Sequence, residues 1–188
     1  MEEIIEKAFE EHIQIFQNSK NSLKESIINV GDIVIESLIN NNKIILFGNG
    51  GSAADAQHIA AEFTGRFLTE RKALPAISLS TDTSALTAIG NDYGFEKIFS
   101  RQVEAIANKG DILIGISTSG NSKNVLEAFK AGEKIGTRNI GFSGRDGGEM
   151  NYMTQTNIVV PSNTTARIQE FHIFLGHLLC QYVDSKIK

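Results

Sequence analysis

The chain of 188 residues is poor in the features that mark secreted, membrane and nucleic-acid proteins. It has a single cysteine, Cys180, so no disulfide can form within it. With no secretory signal visible at its start, a reducing cytoplasm is the expected home. No apolar run approaches the roughly 20 residues that a membrane helix needs. There is no basic run, and the formal net charge is -4, which argues against nucleic acid as the main partner. Internal repeats, linkers and low-complexity segments are also missing. Hydrophobic residues make up 41% and charged residues 21%, the balance of an ordinary globular chain long enough for one well-buried domain.

Two helices are expected first. Ile4, Ile5, Ala8, Phe9, Ile13 and Phe16 form a one-sided helical stripe over residues 2–18. Leu23, Ile27, Val30, Val34 and Leu38 follow near heptad spacing. Such a pair either packs on the domain or forms a bundle seam between subunits. After Asn40-Asn41-Asn42 the pattern changes to short apolar strands: KIILF (43–47), PAISL (75–79), DILIGIS (111–117), RNIGFS (138–143) and NIVVP (157–161). Helical patterns fall at about 52–66, 83–91, 94–107, 121–136 and from 164 onward. Strands alternating with helices predict an α/β fold, a five-stranded parallel sheet covered on both faces as a three-layer α/β/α sandwich. Ligands of such sheets collect at the carboxyl ends of the strands.

Two polar turns stand at such ends. In the first, Gly48, Gly50 and Ala53 nearly fit a dinucleotide fingerprint. No acidic residue follows about 20 positions on to take a ribose, and no Gly-Lys-Ser/Thr makes it a P-loop. A tight strand–helix turn remains, in which Asn49, Gly50, Gly51 and Ser52 face an anion or a sugar hydroxyl, or in which Ser52 merely caps the helix. The second turn carries Ser117, Thr118, Ser119 and Ser122 around Gly120-Asn121. Capping explains one of these hydroxyls, and a phosphate cradle explains all four.

His58 and Glu62 lie four residues apart on one helix face, a spacing that suits a metal, acid–base chemistry or a plain surface contact. On the last helix Ile168, Phe171, Leu175, Leu178, Leu179 and Tyr182 form an apolar stripe, and Gln169 and His177 fall beside one another off it. These two are candidates to face a site. His172 is expected to be structural, and His12 to belong to a helix face. Gln169 and His177 are about 12 Å apart along the helix axis, which makes their convergence on one ion demanding.

The segments GNGGS, EFTGR, GNDYGFEKIFSRQVEA, GDILIGISTSGNSKNV, GRDGGEM and RIQEFHIFLGH together resemble the bacterial phosphoheptose isomerases, which are built on a sugar-isomerase (SIS) domain. The resemblance runs from about residue 40 to the end, and the helical start fits it. It implies a single SIS domain over 1–188, with residues 1 to about 40 used for oligomerisation in a homotetramer. It implies conversion of sedoheptulose 7-phosphate to D-glycero-D-manno-heptose 7-phosphate, an early step toward activated heptose for lipopolysaccharide or capsule. By motif, Asn49, Gly50, Gly51, Ser52, Asn91, Asp92 and Gln169 would contact the sugar, and Ser117, Thr118, Ser119 and Ser122 its phosphate. Glu62 would be the general base and His177 the general acid, and both would also bind substrate or metal. His58, Glu62, Gln169 and His177 match a zinc site of one ion per subunit. Ala166 stands where some relatives carry an acid. The alternatives are a catalytically silent SIS scaffold that binds a replication initiator protein, a sugar-phosphate sensor, and an isomerase of another phosphosugar.

Overall fold

The computed structural model describes residues 1–187. Its elements are α1 (Glu2–Ser22), α2 (Lys24–Ile39), β1 (Ile44–Gly48), α3 (Gly51–Thr64), β2 (Ala76–Ser78), α4 (Thr83–Tyr93), α5 (Ser100–Ile106), β3 (Ile112–Ser117), α6 (Lys123–Ile135), β4 (Arg138–Gly144), β5 (Thr156–Val160) and α7 (Thr165–Asp184). The five strands form one sheet in the order β2-β1-β3-β4-β5, with every neighbouring pair parallel. The order turns back between β1 and β3. In an open parallel sheet that reversal leaves a crevice at the carboxyl ends of the two strands.

Strand alternation explains the layers. Ile44 and Leu46 of β1 pack with α2, α3 and α7, through Val34, Ile59, Phe63 and Leu175. Ile45 and Phe47 point the other way and pack with α5 and α6, through Val103, Val125 and Phe129. All five residues of β1 and all six of β3 are buried, so up to the terminal Ser117 of β3 their sequences carry no polar side chain and do not alternate.

The two leading helices divide between the two expectations. In α2, Val30, Val34 and Leu38 are buried in the core, and the Tyr182 ring lies so close over Gly31 that a Cβ there would collide with it. In α1, by contrast, Ile4, Ile5, Phe9 and Ile13 remain exposed, with Phe9 at 66%. His12 ties α1 to the domain, bonding Glu170 of α7 at 3.1 Å and stacking on Phe16.

One expected helix is divided. Residues 94–107 form a short 3-10 turn, Phe95–Lys97, followed by α5. Ile98 and Phe99 both insert into the core at the break, while Phe95 stays exposed. A straight helix would have placed Phe95 on the same face as Phe99.

Candidate active site

The β1 turn reaches α3 through Gly50, whose φ of 56° and ψ of -122° suit glycine rather than any residue with a side chain. No side chain caps α3. Ser52 lies inside its first turn, buried beneath Gly48, so the capping alternative does not hold. Asn49 meets Asn124 of α6 in a reciprocal pair: the Asn49 amide donates to Asn124 Oδ1 at 2.9 Å, and the Asn124 amide donates to Asn49 Oδ1 at 2.8 Å. This pair ties the two polar turns across the reversal in strand order.

At the second turn the Ser117 and Ser122 hydroxyls lie 2.8 Å apart, and Thr118 and Ser119 are partly exposed between them. Gly120 has a φ of 67°, and a Cβ on it would collide with the Gly147 carbonyl. Its own carbonyl accepts from the Met150 N–H at 3.1 Å, and Asn121 Oδ1 accepts from the Glu149 N–H at 3.0 Å. The 144–150 loop therefore backs the turn. α6 starts at Lys123, and its N-cap residue Ser122 makes no side-chain cap, so its first N–H groups and dipole face the hydroxyls. That is an anion-binding arrangement. Asn49, Ser122, Lys123 and Asn124 line one side of a cleft of about 490 Å³, and residues 93–96 line the other. Asn91 and Asp92 do not line it. They bond each other at 2.8 Å in the exposed last turn of α4.

The titratable residues gather elsewhere. His58 Nε2 lies 3.2 Å from Glu62 Oε1 and 3.4 Å from His177 Nε2. The ligand atoms of His58, Glu62 and His177 all fall within 4.8 Å of one another. Two imidazoles and a carboxylate at this spacing suit a zinc ion with an open position. Gln169 is not brought to them within this chain. Its amide packs against Gly51, at the opposite end of α3. Glu62 lies eleven residues beyond Gly51, so the cluster is about 16 Å along α3 from the glycine turn. His172, as expected, is structural: it is fully buried, its Nε2 is 3.0 Å from the Ser143 carbonyl, and burial lowers its pKa to about 4.

Several residues of the site carried no sequence motif. Asn124 is buried on the apolar face of α6, and that polar residue at a core position was the available signal. Phe67 stacks on the His177 ring at 5.3 Å, and its place in a loop gave no sign of this. Asp55, one turn before His58, has a carboxylate oxygen that is buried and unpartnered. Burial raises its pKa from 3.8 to about 6, against the lowering pull of His58. The native state then holds this proton more tightly than the unfolded chain. The contribution of Asp55 to stability is therefore largest at acid pH and falls as pH rises through about 4 to 6, by at most about 3 kcal/mol. Asp55→Asn is expected to match the parent at pH 4 and exceed it in urea denaturation at pH 7.5. Equal stability of the two at both pH values would contradict this.

The sheet order, the two tied turns and the acidic–imidazole cluster define a chain of the SIS domain family, to which it belongs: residues 9–144 match that family. Over essentially its whole length it is similar to phosphoheptose isomerases. That of Aliarcobacter butzleri is 55% identical over 187 residues, covering 100% of this chain and 99% of the relative. The solved phosphoheptose isomerase of Neisseria gonorrhoeae superposes with a TM-score of 0.92 at 48% identity, and that of Francisella tularensis with 0.95 at 37%, each covering 98% of both chains.

Proposed function

We propose that the chain is a phosphoheptose isomerase that converts sedoheptulose 7-phosphate to D-glycero-D-manno-heptose 7-phosphate. The observation that carries this is full-length similarity to phosphoheptose isomerases joined to the Glu62–His58–His177 cluster of this chain. The scaffold alternative gains no support from these relatives. The product would serve heptose biosynthesis, for lipopolysaccharide or capsule.

Ketose–aldose exchange removes a proton from C1, passes through an enediol and adds a proton at C2. Glu62 takes the C1 proton and returns it to C2, and His177 moves the hydroxyl proton from O1 to O2. Ser117, Thr118, Ser119 and Ser122, with the start of α6, hold the phosphate, and this remote binding energy fixes the reacting carbons. Asn49, Gly50, Gly51 and Gln169 border the sugar, and Asn91 and Asp92, outside the cleft of their own chain, would reach it only from a neighbouring copy. A zinc ion held by His58 and His177, and by Glu62 only while that carboxylate is not acting as base, would polarise the carbonyl and hydroxyl oxygens.

A seven-carbon phosphate ester, with bonds of about 1.5 Å, spans roughly 10 Å when extended. The cluster stands about 16 Å along α3 from the glycine turn that the Asn49–Asn124 pair joins to the cradle, longer than the substrate, which supports a site shared between copies, the cradle from one and Glu62 and His177 from a neighbour. A homotetramer assembled through α1 and α2 from a single SIS domain fits this need. No helix among the described residues is long and apolar enough to cross a membrane, and the lone Cys180 is buried and its thiol pushed up to about 12, mainly by burial. Both features suit work in the cytoplasm.

Incubation with sedoheptulose 7-phosphate, followed by NMR, should show the aldoheptose 7-phosphate appear. Absence of conversion with and without added zinc would overturn the assignment. Full turnover after exhaustive chelation would leave the metal no essential catalytic part.

A further inference from the structure

The last carbonyls of a helix have no partners within it. In α3 two of them belong to Glu62 and Phe63, and Arg71 satisfies both. Its guanidinium donates to the Glu62 carbonyl at 2.9 Å, to the Phe63 carbonyl at 3.0 Å and to the Lys72 carbonyl at 3.2 Å. Its Nε donates to Asp184 Oδ1 at 2.6 Å. The other carboxylate oxygen of Asp184 accepts from the Leu68 N–H at 3.1 Å, and from the Thr69 N–H and hydroxyl, each at 3.3 Å. The two side chains are almost fully enclosed, at 1% and 4% exposure.

Enclosed ion pairs are a poor source of net stability, because desolvating both charges offsets their attraction. The placement of this one is more informative. Arg71 holds the backbone of Glu62 itself. Asp184 ends α7, the helix of His177, and grips the two residues that follow Phe67, whose ring stacks on His177. One pair thus fixes the carboxylate helix, the imidazole helix and the ring that orients the imidazole. We propose that Arg71 and Asp184 are positioning residues that set the geometry between Glu62 and His177. This rests on the reading of those two as the acid–base pair. A guanidinium suits the place because it reaches four acceptors in one plane, which an ammonium cannot do.

The test compares Arg71→Gln, Arg71→Lys and the milder Asp184→Asn with the parent, all checked for native circular dichroism and assembly. A misplacement of about 1 Å costs up to about 100-fold in rate. We expect kcat for sedoheptulose 7-phosphate to fall about 10- to 100-fold in Arg71→Gln while KM stays within about twofold, because the phosphate cradle is remote from the pair. Arg71→Lys should recover only part of the loss. A folded Arg71→Gln or Asp184→Asn enzyme with parental kcat would overturn the proposal, as would a fall confined to thermal stability. A second readout does not need turnover. The imidazole proton signals of His177, which lie in the ring current of Phe67, should shift in Asp184→Asn. Unshifted signals would overturn the clamp even if the parent were inert toward the heptulose, and that inertness would separately overturn the proposed function.

Discussion

Glu62→Gln is expected to reduce kcat for sedoheptulose 7-phosphate by about 1,000-fold, with KM nearly unchanged. The amide keeps the shape of the side chain and keeps an oxygen 3.2 Å from His58 Nε2, the distance seen for Glu62. It cannot accept a proton from carbon. The proposed phosphate cradle, Ser117 to Ser122, shares no hydrogen bond with the cluster, so binding should survive. Steady-state kinetics would give the two constants. Deuterium exchange from solvent into the substrate would show whether the C1 proton is still removed. A variant with more than a tenth of parental kcat would remove Glu62 from the role of base.

Phe9→Asp combined with Ile13→Asp should break the proposed homotetramer and abolish most of the activity. These residues lie four apart on α1, exposed at 66% and 53%, on the helix whose Phe16 packs against the exposed Phe174 of α7. An apolar groove of about 530 Å³ runs alongside, between α1, α2 and α7, walled by Phe16, Ile27, Ile28 and Leu178. Burying a Phe or Ile side chain contributes about 1.5–3 kcal/mol, and symmetry repeats each contribution in every copy. The α/β core does not depend on this stripe, so the variant should fold and elute as a smaller species. Activity should fall at least about 100-fold, since the cradle of one copy then has no neighbouring base to act with. A folded monomer with full activity would show that one chain holds the whole site. An unchanged assembly would show that α1 is not the seam.

Strand existence, direction and the three-layer arrangement were legible because a parallel sheet buried on both faces needs runs such as IILFG and ILIGIS, which few other structures tolerate. The meeting of His58, Glu62 and His177 followed from helical spacing joined to the family resemblance. What escaped notice depended on contacts distant in sequence. The break before α5 comes from Ile98 and Phe99 competing for the core, a tertiary effect that local periodicity does not report. Asn124, Phe67 and Arg71 are positioned by partners 75, 110 and 113 residues away, and no spacing rule covers such distances. Gln169 stands, within this chain, apart from the cluster and beside a residue expected to contact the sugar. Its face on α7 was correct, but its height along the helix places it with Gly51 rather than with His177.

The Asn49–Asn124 pair has a bearing on how a sugar phosphate would be received. Each amide presents its nitrogen to the other's oxygen, so neither can flip without forfeiting both bonds. The loops after β1 and β3 are therefore preorganised as one rigid rim before anything binds. Little conformational entropy is lost on docking there, and the rim should present the same shape to substrate and to product, so neither gives up binding free energy to order it.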